Sequence, residues 1–283
     1  MEGEIMKGKV QLLLEQTKER TFRDPCAYYA DGVWHLYYSL VQNEEDGQYF
    51  YLAESTSTDL KEWSEPRILS ERGKHLNYSS PGNVFVADGM YHICLQTYPR
   101  TKGELYGDEN SRVFLMSSTD LVEWSEPRLL RVKGDVPESE MGRMIDPYIV
   151  WDGDSWLCFY KQNGVSFSRS KDLVNWEFLG YTACGENVCV LKDEEYYYVF
   201  HSPKNGIGLL RSKDLKEFED CGITTLGQEN FLWGKDRITA GFVIEHEGKN
   251  YLFFHGDNMD DYDWGASVAM IEDWDFKAEF GLK

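Results

Sequence analysis

No stretch of this 283-residue sequence stays apolar for the roughly 18–20 residues that cross a bilayer as a helix. The opening run Met1-Glu2-Gly3-Glu4-Ile5-Met6-Lys7 carries charge where a secretory signal has its apolar core. A cytoplasmic protein is expected. Basic residues are in deficit: 29 Lys and Arg stand against 49 Asp and Glu, a formal net charge of −20. Phosphate-rich partners demand the opposite sign, so neither nucleic acid nor a membrane surface is an expected partner. The chain has no Walker loop, no Gly-x-Ser-x-Gly and no His-Glu-x-x-His. Gly206-Ile207-Gly208 neither completes a dinucleotide fingerprint nor opens a helix. The six cysteines (Cys26, Cys94, Cys158, Cys184, Cys189 and Cys221) include no Cys-x-x-Cys pair. Cys184 and Cys189 flank Glu186, but no suitably spaced His completes a zinc set. Reduced thiols packed as small hydrophobes are expected, with no metal and no required cofactor.

What the chain does have is aromatics, at 15% of residues, set in repeated strand–turn–strand units. Ile145-Asp146-Pro147-Tyr148-Ile149-Val150-Trp151 runs into the acidic turn Asp152-Gly153-Asp154-Ser155 and then Trp156-Leu157-Cys158-Phe159-Tyr160. This is a β-hairpin pattern, and Asp24-Pro25 begins a copy of it that turns at Asp31-Gly32. Aligning five such hairpins on Trp34, Tyr91, Trp156, Tyr196 and Tyr251 and stepping back ten positions gives Asp24, Pro81, Asp146, Glu186 and Gly241. Three of these are carboxylates at equivalent starts of a strand.

A second repeat follows each of the first four hairpins, and the fifth unit lacks it. Ser57-Thr58-Asp59-Leu60-Lys61-Glu62-Trp63 recurs from Ser118, from Ser170 and, with Phe218 for Trp, from Ser212. Units of this length holding about four short strands predict a five-bladed β-propeller, an all-β fold. The expected blades are residues 20–70, 76–131, 141–182, 183–222 and 236–276. Val10–Leu14 would supply a strand closing the ring, and residues 1–283 form a single expected domain. Blade-initial positions converge on the channel mouth, so Asp24, Asp146 and Glu186 would face one another there. Carboxylates gathered in this way repel, which pushes their pKa values apart and usually has a functional reason.

In Arg23-Asp24-Pro25, Ile145-Asp146-Pro147 and Gly185-Glu186 the chain resembles the family 43 glycoside hydrolases, five-bladed propellers related to the fructan-cleaving enzymes. The resemblance implies Asp24 as general base, Asp146 as pKa modulator and Glu186 as general acid. It implies inverting hydrolysis of α-L-arabinofuranosyl or β-xylosyl linkages in oligosaccharides. Arg23 stands where fructan-cleaving relatives carry Asn, which points away from a fructosidase. Thr239 and its neighbours lack the His common at the fifth blade, so a structural calcium ion is unsupported. Phe22, Arg23, Tyr78, Arg143, Trp233 and Arg237 are candidate substrate contacts, with Tyr98, Trp264, His75 and His255 as weaker ones. The rival readings are a retaining or phosphorolytic glycosidase on the same scaffold and a sugar-binding propeller without catalysis.

Overall fold

Three hairpin turns carry the sequence signature of the tightest connection a twisted sheet accepts. Asp31-Gly32, Asp88-Gly89 and Glu247-Gly248 each have both residues at positive φ, the geometry of a two-residue turn matched to strand twist. The other two hairpins close over four residues. There Asp152 accepts from the N–H groups of Asp154 and Ser155, and Asp193 accepts from those of Glu195 and Tyr196.

The computed structural model describes residues 10–260 and 263–282. The Met1–Lys7 stretch weighed above lies outside them. Five four-stranded antiparallel sheets form a five-bladed propeller. The innermost strands are Arg20–Ala30, Val84–Ala87, Ile145–Trp151, Glu186–Lys192 and Arg237–His246. The first four blades follow the expected boundaries, the fourth running on to Thr224. In the fifth, Val10–Leu14 pairs antiparallel with Ala266–Ile271, with Val10 opposite Ile271, and completes the ring as expected. Among the described residues no helix is long and apolar enough to cross a membrane, and the six cysteines are free.

The second repeat is a turn that pins each blade's outer part. Leu60, Leu121, Leu173 and Leu215 all adopt φ near 60° and are all buried. A left-handed leucine costs about 1–2 kcal/mol of backbone strain, and local hydrogen bonds with apolar burial offset it. Ser57, Ser118 and Ser212 accept from the leucine N–H at 2.9 Å in their copies. Each Asp accepts from the two N–H groups that follow the leucine, such as Val122 and Glu123 on Asp120. Those donors hold the Asp120 carboxyl below the usual carboxylate range.

Replacing Ser118 with Ala leaves the buried Leu121 N–H without its acceptor. The expected cost is about 1–2 kcal/mol, seen as a lower urea midpoint at unchanged m-value. An unchanged midpoint would assign the turn to Asp120 alone.

Candidate active site

The inner strands begin with a one-residue bulge. Pairing slips between Arg23 and Cys26, Ile145 and Tyr148, Glu186 and Cys189, and Thr239 and Phe242. Blade two has an isolated bridge, Ser79 to Gln96, at the same place. Just inside each bulge lies a residue at positive φ: Asp24, Ser80, Asp146, Asn187 and Ala240, all between 46° and 51°. These five are the true ring equivalents. The alignment on aromatics was one position out in blades two, four and five: Tyr196 and Tyr251 neighbour the Trp34-equivalent positions Tyr197 and Asn250, while Tyr91 is the equivalent position and blade two has one extra residue between Ser80 and the hairpin. Glu186 is therefore not the counterpart of Asp24. It corresponds to Arg23, and Asn187 holds the ring position.

A hydrogen-bonded ring links these residues from blade to blade. Asp24 N–H donates to His255 Nδ1 at 3.0 Å, Ser80 N–H to Ser39 Oγ at 2.7 Å, and Asp146 N–H to Gln96 Oε1 at 2.6 Å. Ala240 N–H donates to Ser202 Oγ at 2.7 Å. In every case the acceptor belongs to the second strand of the preceding blade, opposite the residue before the bulge. Blade four breaks the pattern, because the acceptor position there is Lys161. Asn187 N–H turns instead to Asp146 Oδ2 at 3.4 Å.

The acids are tied into this ring. Asp24 accepts from Ser39 Oγ at 2.8 Å and from Asn187 Nδ2 at 3.2 Å. Asp146 accepts from Ser80 Oγ at 2.9 Å. Ser39 thus takes the Ser80 N–H and passes its own proton to Asp24, while Asn187 bridges both aspartates. Asp146 is the buried member; the Asp24 and Glu186 side chains are 19% and 35% exposed. Burial, then the negative charges of Glu186 and Asp24, push the Asp146 carboxyl up to about 7. The carboxyl expected to raise its neighbour's pKa is itself the raised one.

The cluster also has basic partners. Glu186 lies 3.7 Å from Arg237 and 3.9 Å from Lys161. Beneath them Asp257 pairs with Arg23 at 2.9 Å and Arg237 at 2.8 Å, and His255 Nε2 faces it at 3.3 Å. Burial works against charge on Asp257, yet Arg23, His255 and Arg237 hold its carboxyl well below the usual range. Burial and then Arg23 lower the pKa of His255, so a neutral ring accepts from Asp24 N–H and keeps its proton on Nε2. The fifth blade does bring a His to the mouth, from its second strand.

Asp24, Asp146, Glu186, Asn187, Arg237 and Asp257 line a cleft of about 410 Å³. One wall is aromatic: Trp264 packs edge-on against Phe50, Tyr98 and Tyr106, with Arg23 5.1 Å above its ring. Below the acids the channel narrows to a space of about 20 Å³ among Pro25, Pro81, Pro147 and Phe242. Of the expected substrate contacts, Arg23, Arg143 and Arg237 line the cleft. Phe22 and Tyr78 are instead core residues, packed edge-on against Tyr38 and Phe114. Trp233 stacks on Phe231 away from the lining, and His75 is an exposed residue. Asn187, Ser39, Ser80, Gln96, Lys161 and Asp257 were not anticipated. For Ser39, Lys161 and Asn187 the trace in the sequence is a spacing of fifteen, from Asp24 to Ser39, Asp146 to Lys161, Asn187 to Ser202 and Ala240 to His255, lengthened to sixteen from Ser80 to Gln96. Among the described residues no group of three or more His, Cys, Asp or Glu is arranged to hold a metal ion.

No curated protein sequence matches the chain significantly. The profile described as the glycosyl hydrolases family 32 N-terminal domain matches residues 16–190. Bacillus subtilis arabinanase superposes with a TM-score of 0.65 at 15% identity, covering 90% of this chain and 96% of that one. A family 117 glycoside hydrolase of the marine bacterium Zobellia galactanivorans gives 0.71 at 16% identity, over 94% and 90%. A Bombyx mori family 32 beta-fructofuranosidase in complex with sucrose gives 0.62 at 18% identity, over 94% of this chain and 64% of that one. At these identities the structural likeness is one of fold.

The raised carboxyl of Asp146 makes stability depend on pH with a definite sign. Its folded pKa lies above the unfolded value, so the proton it holds favours the folded state in full below about pH 4. That contribution is lost as pH rises through about 7. Asp146→Asn, which stays neutral, should be more stable than the parent at pH 8 by a few kcal/mol at most, since each tenfold change in proton affinity on folding is worth roughly 1.4 kcal/mol. The gain should shrink toward pH 4. Urea denaturation across that range checks it, and a gain independent of pH would remove the raised carboxyl.

Proposed function

The chain belongs to the family of glycosyl hydrolases family 32 N-terminal domains, and from that premise we propose that it hydrolyses pentosyl linkages in short oligosaccharides with inversion. The linkage is α-L-arabinofuranosyl or β-xylosyl. The observation that carries the chemistry is the meeting of Asp24, Asp146 and Glu186 in one cleft. Glu186, the most exposed of the three, protonates the leaving oxygen as the glycosidic C–O bond breaks. Asp24, held by Ser39 and Asn187, accepts a proton from the water that attacks the anomeric carbon on the opposite face. Asp146 sets the charge between them, since its ionisation near pH 7 adds a negative neighbour to both.

Inversion needs room for a water, with carboxyl groups roughly 6.5–9.5 Å apart against about 5–5.5 Å for retention. Asp24 and Glu186 come from blades one and four, and blade five between them contributes only the methyl of Ala240 at the ring position. That spacing supports the longer separation. The pentoside is supported by the fold shared with an arabinanase and by a cleft sized for a short glycoside. A fructoside, cleaved with retention, is the second reading. The family match and the fold shared with a sucrose-bound beta-fructofuranosidase favour it.

Glu186→Gln should lose about 10²–10⁴-fold in activity on natural glycosides. It should lose far less on aryl glycosides whose leaving group needs no proton, and equal losses would remove Glu186 as the acid. In a panel of pentosides and fructosides with product anomers followed by NMR, the pentoside product should appear first with inverted configuration. A retained anomer would replace the inverting mechanism with the retaining one.

A further inference from the structure

The single break in the inter-blade ring lies beside the proposed acid. Four blades hand their bulge N–H to an acceptor on the preceding blade: His255, Ser39, Gln96 and Ser202. The fifth acceptor position is Lys161, whose ammonium has three donors and no lone pair. We propose that Lys161 is a positioning residue for the acid cluster, one that withholds the ring acceptor so that Asn187 N–H is released to Asp146. The same side chain sets a cation beside Glu186.

Geometry supports both halves. Asn187 N–H, with no acceptor on blade three's second strand, reaches Asp146 Oδ2 at 3.4 Å, and its amide continues to Asp24 at 3.2 Å. One residue is thereby aimed at two carboxylates. Lys161 Nζ stands 3.9 Å from Glu186, whose other oxygen is 3.7 Å from Arg237. Lys161 also faces the buried His201 imidazole and the Cys184 thiol. Asp146 faces Glu186 and Asp24. The molecule itself shows what an acceptor would do at this place: Gln96, the equivalent residue one blade earlier, takes the Asp146 N–H at 2.6 Å. A glutamine at 161 would capture Asn187 N–H in the same way and leave Asp146 short of a donor.

Three substitutions separate the hydrogen bond from the charge. Lys161→Met removes the cation and supplies no acceptor. Lys161→Gln and Lys161→Ser remove the cation and restore an acceptor of the kinds found at Gln96, Ser39 and Ser202. Carboxyl ¹³C NMR titration of the folded variants, with the Asp146 signal assigned by its loss in Asp146→Asn, measures the effect. The acceptor variants should titrate higher at Asp146 than the methionine variant, on the order of half a pH unit for one weak N–H donor. An equal or lower midpoint in both acceptor variants would overturn the proposal. The kinetic arm rests on the hydrolytic reading above: the acceptor variants should lose kcat relative to Lys161→Met while KM stays close. If none of the glycosides is cleaved, that reading fails, and the titration still decides the role of Lys161.

Discussion

The handing of one N–H from blade to blade is the interaction on which this molecule's site depends. A bulge at the start of an inner strand turns one residue into the left-handed region, and its N–H then points along the ring rather than across the sheet. Buried next to the channel, that N–H has no water to fall back on, so a partner from the adjoining blade must supply the acceptor. The consequence is positional accuracy. Asp24 and Asp146 are fixed by backbone bonds to His255 and Gln96, and only their carboxylates remain to be oriented by Ser39, Ser80 and Asn187.

Electrostatics at the mouth run against the rest of the chain. A protein with a formal charge of −20 gathers Arg23, Arg237 and Lys161 around its buried acids. Asp257 is the sink for two of these cations, and it is reached from the fifth blade's second strand. The uneven shifts follow: Asp257 is held ionised by its partners, while Asp146, deep and beside two other carboxylates, keeps its proton to higher pH. A like-charged cluster survives here because one member is poised to be neutral.

Much of this was legible in the sequence. Hairpin spacing, the Ser-x-Asp-Leu turn and the Val10–Leu14 run specify the blade number and the closure, since each rests on local chemistry repeated several times. The two Asp-Pro steps and Glu186 are at the mouth that register arithmetic assigned. The arithmetic was one residue out in three blades, because an aromatic one place to either side of the true second-strand position was chosen in blades four and five, and because blade two's first strand carries one extra residue after Ser80. Asn187 was hidden by that slip. Phe22 and Tyr78 misled for a different reason: an aromatic beside a strand start packs inward as readily as outward, and burial is a tertiary property. Lys161 gave no signal by itself, since its meaning comes from the acceptors that occupy its four counterparts.

The clasp between Val10–Leu14 and Ala266–Ile271 joins segments from nearly opposite ends of the chain. During synthesis the first of these segments must wait, unpaired, until the last blade has emerged, and such distant pairing makes ring closure a late event in folding. Mechanically the clasp has a weak direction. Val10 faces Ile271, so chain leading away from either residue departs at the same edge of the pair. Tension on the two ends would peel the ladder apart one rung at a time, whereas loading the strands in shear would strain all rungs together. A fusion partner that tugs on both ends would first have to draw Trp274 and Phe276 out of their packing against Phe200 and Tyr198, and the seam would open after them.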